Sequence, residues 1–127
     1  MRTGLVVSVV ILVLVAVFGF FSQQFIATLG EKYQGAAREL MALQEAGDWE
    51  RLQEAASGYR EAWTQTAPLV RMLIHHEDVD AIALALSEIQ ASALTRSAPD
   101  CALGCCHLEA AAERMMAHDQ MCLDNLL

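Results

Sequence analysis

The pattern of apolar and polar positions changes character once along this chain, near Ser22. In the run LVVSVVILVLVAVFGFF, residues 5–21, only Ser8 and Gly19 interrupt the large and small apolar side chains, and no charge occurs. These 17 residues rise about 26 Å as a helix, and the uncharged stretch 22–29 extends them, so a hydrocarbon layer of roughly 30 Å can be crossed. A rod that is apolar all round has no polar face for water, and a remainder of about 98 residues is too small to wrap it as a core helix. A cleaved signal peptide would need a shorter apolar stretch of about 7–15 residues and small residues at both minus one and minus three of a cleavage site. The nearest candidate ends at Ala27 and places Phe25 at minus three, and no cysteine follows closely to accept a lipid. The expectation is a retained anchor over residues 1–29 and a helical domain over 30–127.

Beyond the anchor the apolar positions recur in steps of three and four. Leu29, Tyr33, Ala36 or Ala37, Leu40 and Leu43 line one face of a first helix that runs to Ala46. Gly47 supplies a residue that tolerates a left-handed turn, and Asp48 is placed to cap the next helix, with Glu50 in its first turn. That second helix carries Trp49, Leu52, Ala56, Tyr59, Trp63 and Thr66 on one stripe. Pro68 lacks a backbone donor and disfavours a helical Ala67, so the helix either kinks there or restarts with Thr66 as cap, and the kink is the favoured reading. Leu69, Val70, Leu73 and Ile74 extend the apolar face.

A third helix starting near Glu77 or Asp78 carries Val79, Ile82, Leu86, Ile89 and Ala93. Residues 97–100 form a break, after which Cys101, Cys105, Leu108, Ala112 and Met115 mark a fourth helical face. No strand pattern occurs. The periodicity predicts an all-α chain: one N-terminal transmembrane helix, then a small antiparallel bundle of about four helices joined by short loops.

Charge narrows the partners. The chain carries 8 basic and 16 acidic residues, a formal net charge of −8. Such a balance argues against nucleic acid and against a basic patch on anionic lipid. The acids are dispersed, as on a solvated helical surface. Arg2 and the amino terminus precede the anchor, whereas Lys32 is the only basic residue in the fifteen after Phe21, which orients the amino terminus to the cytoplasm and the domain to the outside.

From Gly47 onward, the order GDWERL, then Trp63, then LIHHEDVDAIALAL, then a closing NLL resembles the bacterial membrane proteins grouped as domain of unknown function 4363. The specific positions are Trp63, the group His76, Glu77, Asp78, Val79, Asp80 and Ile82, and Asn125 with Leu127. The resemblance implies a short protein with one membrane helix and a small helical domain, and it implies no activity. Pro68 and the segment CALGCC depart from the family's pattern of plain leucine and alanine helix.

The cluster His75, His76, Glu77, Asp78 and Asp80 is the leading candidate for chemistry, since imidazole and carboxylate together can bind a divalent metal or pass protons. His76 and Asp80 stand four apart and can share a helix face, but a metal generally needs a third protein ligand. The structural alternative is that Asp78 or Glu77 caps the third helix while His76 hydrogen-bonds across the joint near Trp63. Cys101, Cys105, His118 and Cys122 mimic a zinc-finger spacing, but if residues 106–117 form one helix the two pairs lie about 18 Å apart, beyond the reach of one ion. Cys101 and Cys105 then pack as small apolar residues beside Leu108, and a bridge to Cys122 is the redox alternative. No GxSxG turn, glycine-rich phosphate loop or HExxH motif occurs. The expected protein is a non-enzymatic, single-pass interaction module without cofactor, which acts with another membrane protein. Its candidate structural or interaction residues are Trp63, His76, Glu77, Asp78, Asp80 and Asn125. A metal-binding or thiol-redox protein is the alternative.

Overall fold

A computed structural model describes residues 1–126, with side chains described through His118. Among the described residues the chain forms four α-helices: α1 Arg2–Glu45, α2 Trp49–Leu73, α3 His76–Thr95 and α4 Ala98–Leu126. Connections of two or three residues make sequential neighbours antiparallel, and α1 closes the ring against α4. The diagonal pairs keep their backbones apart, so one core runs down the middle.

The apolar run and the first bundle helix are a single element. α1 spans 44 residues, about 66 Å at the usual rise. Residues 2–18 are exposed throughout, whereas Ile26, Leu29, Tyr33, Ala36, Ala37 and Leu40 are buried in the bundle. Among the described residues it is the one helix long and apolar enough to cross a membrane, and none of its most apolar window is buried. The junction expected between Leu29 and Gly30 thus falls inside a continuous helix, with Ile26 and Leu29 already part of the core.

Caps set the helix ends. Gly47 is left-handed at φ 73°, and the amides of Gly47 and Asp48 close on the carbonyls of Gln44 and Leu43 at 3.0 Å each, which satisfies the last turn of α1. Asp48 then accepts from the Arg51 amide at 3.3 Å to start α2. The end of α3 repeats the first device with Arg96, left-handed at φ 52°. α2 continues through Pro68 without a break, so Thr66 caps nothing and its hydroxyl donates back to the Ala62 carbonyl at 2.9 Å. The break expected over residues 97–100 is shorter, because α4 takes Pro99 into its first turn, where a missing amide donor costs nothing.

The stripes read from periodicity on α3 and α4 are core, whereas on α2 Trp49, Tyr59, Thr66, Leu73 and Ile74 are half-buried and Leu69, expected on the apolar face, is exposed. Val79, Ile82, Leu86, Ile89 and Ala93 of α3 are all buried, as are Cys101, Cys105, Leu108, Ala112 and Met115 of α4. Tyr33 of α1 meets Trp63 of α2 edge-on, with ring centroids 5.0 Å apart. Two helix pairs approach through glycine: a Cβ on Gly30 would stand 2.3 Å from Cγ of Met116, and one on Gly104 would stand 2.8 Å from a side-chain carbon of Ile89. These contacts fix the register of the antiparallel helices.

Candidate functional site

The antiparallel register brings the α2–α3 turn, the start of α3 and the last described side chains of α4 to the end of the bundle where α1 emerges. Three of the four histidines, His75, His76 and His118, lie here. Asp78 sits in the first turn of α3, where the positive helix end favours a carboxylate. It points inward. Its side chain is 4% exposed, and Oδ2 lies 2.7 Å from Nδ1 of His118, itself 43% exposed. Nδ1 of His118 and the Asp78 carboxylate share this hydrogen bond, which leaves the Nε2 side of the ring outside it. The His75 ring stands edge-on to that of His118, with centroids 6.2 Å apart.

The rest of the expected cluster disperses. His76 and Glu77 are exposed, and Asp80 faces solvent, where it pairs with Arg71 at 3.4 Å. His75 occupies the cap position of α3 without a side-chain hydrogen bond to the helix, so the cap expected of Asp78 or Glu77 is not made. His76 is not the residue that bridges the joint. Trp63 does that instead: it is buried, and its indole N–H donates to the Val79 carbonyl at 3.2 Å, tying α2 to α3. The Asn125 and Cys122 side chains lie outside the described residues, as does Leu127.

The His118 partnership was missed at the sequence level, although a signal existed. Extending the α4 stripe one step of three beyond Met115 reaches His118, and stepping back four from Ile82 on α3 reaches Asp78. Both therefore face inward at the same end of two antiparallel helices. What the pair does chemically is orient an imidazole and give a buried carboxylate a hydrogen-bond partner. Among the described residues no three histidine, cysteine or acidic side chains converge in a metal-binding arrangement. No nucleophile is placed against the Nε2 face by any described contact, so an acyl-transfer dyad has no partner in this set.

The opposite half of the molecule holds the three described thiols. Cys101 and Cys105 are buried and Cys106 is exposed, and all three are free. Burial first, and then the neighbouring Cys101, pushes the Cys105 thiol up to about 12, away from the thiolate form that does redox chemistry and binds metal. A groove of about 220 Å³ beside Cys106, between α1 and α4, is lined by Ala37, Arg38, Met41 and Glu109 among others, which is smaller than the usual small-molecule site. Two tyrosines on the α1–α2 side are also perturbed. Tyr33 is pushed up to about 12 by burial and then by Tyr59, and Tyr59 up to about 12 chiefly by its hydrogen bond to Glu39.

No family model, curated protein or solved structure matches the chain. The resemblance to the domain of unknown function 4363 proteins therefore rests on the residues quoted for it.

Proposed function

We propose that this protein is a single-pass, membrane-anchored helical module that works by interaction with another membrane protein and not as an enzyme. One observation carries the reading: α1 runs without a break from a fully exposed apolar half into the core of the bundle. An apolar half that the bundle leaves uncovered is favoured in lipid, and the second half then holds the acidic bundle at the bilayer. The basic residues near the two ends of the apolar run orient the amino terminus to the cytoplasm and the bundle to the outside. Membership of the domain of unknown function 4363 group is part of this proposal and agrees with the architecture.

Support for the interaction role comes from what the bundle does with its chemistry-bearing groups. Asp78 and His118 satisfy each other, Asp80 is taken by Arg71, and Cys105 is held as a buried thiol. The test is capture of the full chain from native membranes after mild crosslinking, beside a Val10→Arg, Leu14→Arg variant. The parent should bring down the same membrane protein repeatedly, and the variant should not. A parent that emerges without a protein partner but with a stoichiometric metal ion would replace this reading with the metal-binding alternative.

A further inference from the structure

We propose that the α2–α3 turn is a second membrane contact, in which Met72 and the following turn residues rest in the lipid headgroup layer beside the anchor. The inference rests on the anchor reading above, and it follows from register. If Arg2 marks one face of the hydrocarbon, about 20 residues of helix bring the other face to Ser22, which agrees with the end of the apolar run at Phe21. Side-chain contacts of Tyr33 with Trp63 and Tyr59, and of Glu39 with Tyr59, set the approximate register of the antiparallel α1–α2 pair. Stepping equally along both helices places Met72 level with Phe25 and the turn at residues 74–75 level with Ser22 and Gln23. Met72 thus stands about 4–5 Å beyond the edge of the hydrocarbon, and the turn about 0–2 Å beyond it. The headgroup region of one leaflet is about 5–8 Å deep, so both fall within it.

The side chains at that height suit lipid. Met72 is 82% exposed, the largest exposure of any large apolar side chain in the bundle among the described residues. Leu73 and Ile74 beside it are half-buried and packed on the core. The stretch LVRMLI, residues 69–74, contains one charge, Arg71, and that charge is paired with Asp80. Among the described side chains the other titratable groups at this end are His75, His76, Glu77, Asp78 and His118, and these make no basic surface. Contact therefore comes from apolar insertion at the interface and does not depend on anionic lipid. No hinge intervenes: α1 carries no proline and no left-handed residue between residues 21 and 26, so the bundle cannot tilt the turn freely away.

The test uses the full chain in phosphatidylcholine vesicles, with and without brominated acyl chains, and reads tryptophan emission against the parent. Three variants are compared: Leu12→Trp in the anchor, Met72→Trp at the turn, and Leu103→Trp at the far end of the bundle, where the exposed leucine stands about 30 Å from the bilayer. The indoles at positions 12 and 72 should both lose most of their added emission to brominated lipid, while the indole at position 103 should respond only to aqueous acrylamide. If position 12 is quenched by brominated lipid and position 72 responds like position 103, the turn stands in water and this proposal fails while the anchor stands. Shielding of position 72 from both quenchers would mean that a protein covers it, which also overturns the proposal. An unquenched position 12 would remove the anchor reading and this inference with it.

Discussion

Asp78 near the start of α3 and His118 near the end of α4 meet at 2.7 Å across forty residues of chain, and the pair is lopsided, with the carboxylate side chain 4% exposed and the imidazole 43%. Removing the histidine strands a buried carboxylate, whereas neutralising the carboxylate leaves an imidazole that water can reach. His118→Ala should cost about 1–3 kcal/mol of stability, and Asp78→Asn, which keeps an acceptor, should cost less. The double variant should cost less than the sum, with a coupling of at least about 0.5 kcal/mol. Denaturant unfolding of the detergent-solubilised protein reads all four corners of the cycle, and strict additivity would show that the contact contributes nothing.

Trp63 and His76 stand near the same joint with opposite burdens. Trp63 is buried, packs on Tyr33 and donates to Val79, so Trp63→Ala should cost about 3–5 kcal/mol, close to the whole stability of a bundle this small. Trp63→Phe keeps most of the packing and isolates the hydrogen bond, at about 1–2 kcal/mol. His76 is exposed, so His76→Ala should stay within about 0.5 kcal/mol of the parent. Thermal unfolding that ranks His76→Ala beside Trp63→Phe would contradict this assignment.

The two close helix approaches differ in what stands opposite the glycine. A Cβ at position 30 meets the flexible Met116 side chain, which can swing aside, while one at position 104 meets Ile89, including its backbone nitrogen at 3.3 Å. Alanine regains about 1 kcal/mol of helix propensity at either site. Gly30→Ala should therefore come out near neutral, and Gly104→Ala should destabilise by about 1–3 kcal/mol because α3 and α4 must part. Equal melting temperatures for the two variants would rule out the difference in approach.

Alkaline pH should unfold the bundle through three groups. Cys105 rises from 9.0 to about 12, and Tyr33 and Tyr59 each rise from 10.0 to about 12. A raised value means that the folded chain keeps a proton which the unfolded chain has already lost, so stability falls as pH rises. The contribution is complete below the unfolded values near 9 and 10 and is lost as pH climbs toward 12. Helicity and melting temperature should be flat from neutrality to pH 9 as far as these groups are concerned, then decline. Tyr33→Phe, with the more buried ring, should soften the decline more than Tyr59→Phe. A pH titration of melting temperature showing no steepening above pH 10 would refute the assignment.

Much of this architecture was legible because helical periodicity reports burial directly. The stripe from Val79 to Ala93 and that from Cys101 to Met115 were written in the chain before any contact was known, and Gly47 with Asp48 announced their turn by residue type. The site was harder to read. His75, His76, Glu77, Asp78 and Asp80 are adjacent in sequence, but a helix turns 100° per residue, so neighbours in the chain face different ways. Asp78 goes inward, Asp80 outward to Arg71, and His76 to solvent. The partner that Asp78 takes comes from α4, and only the register of two packed helices determines such a pairing. The continuity of the apolar run with the bundle was hidden for a similar reason: the uncharged stretch from Ser22 to Leu29 reads as more of the span, although the helix there already buries Ile26 and Leu29 in the bundle.

The central claim is that the first half of α1 lies in a bilayer while its second half builds the bundle. Intact-mass analysis of the membrane pellet after carbonate extraction tests this most directly. The account predicts that the chain stays in the pellet with residues 5–21 still attached, and that Val10→Arg with Leu14→Arg releases it, since each central charge costs about 2.5–3.5 kcal/mol of insertion. A chain recovered in the supernatant, or one whose mass begins beyond Phe21, would contradict it.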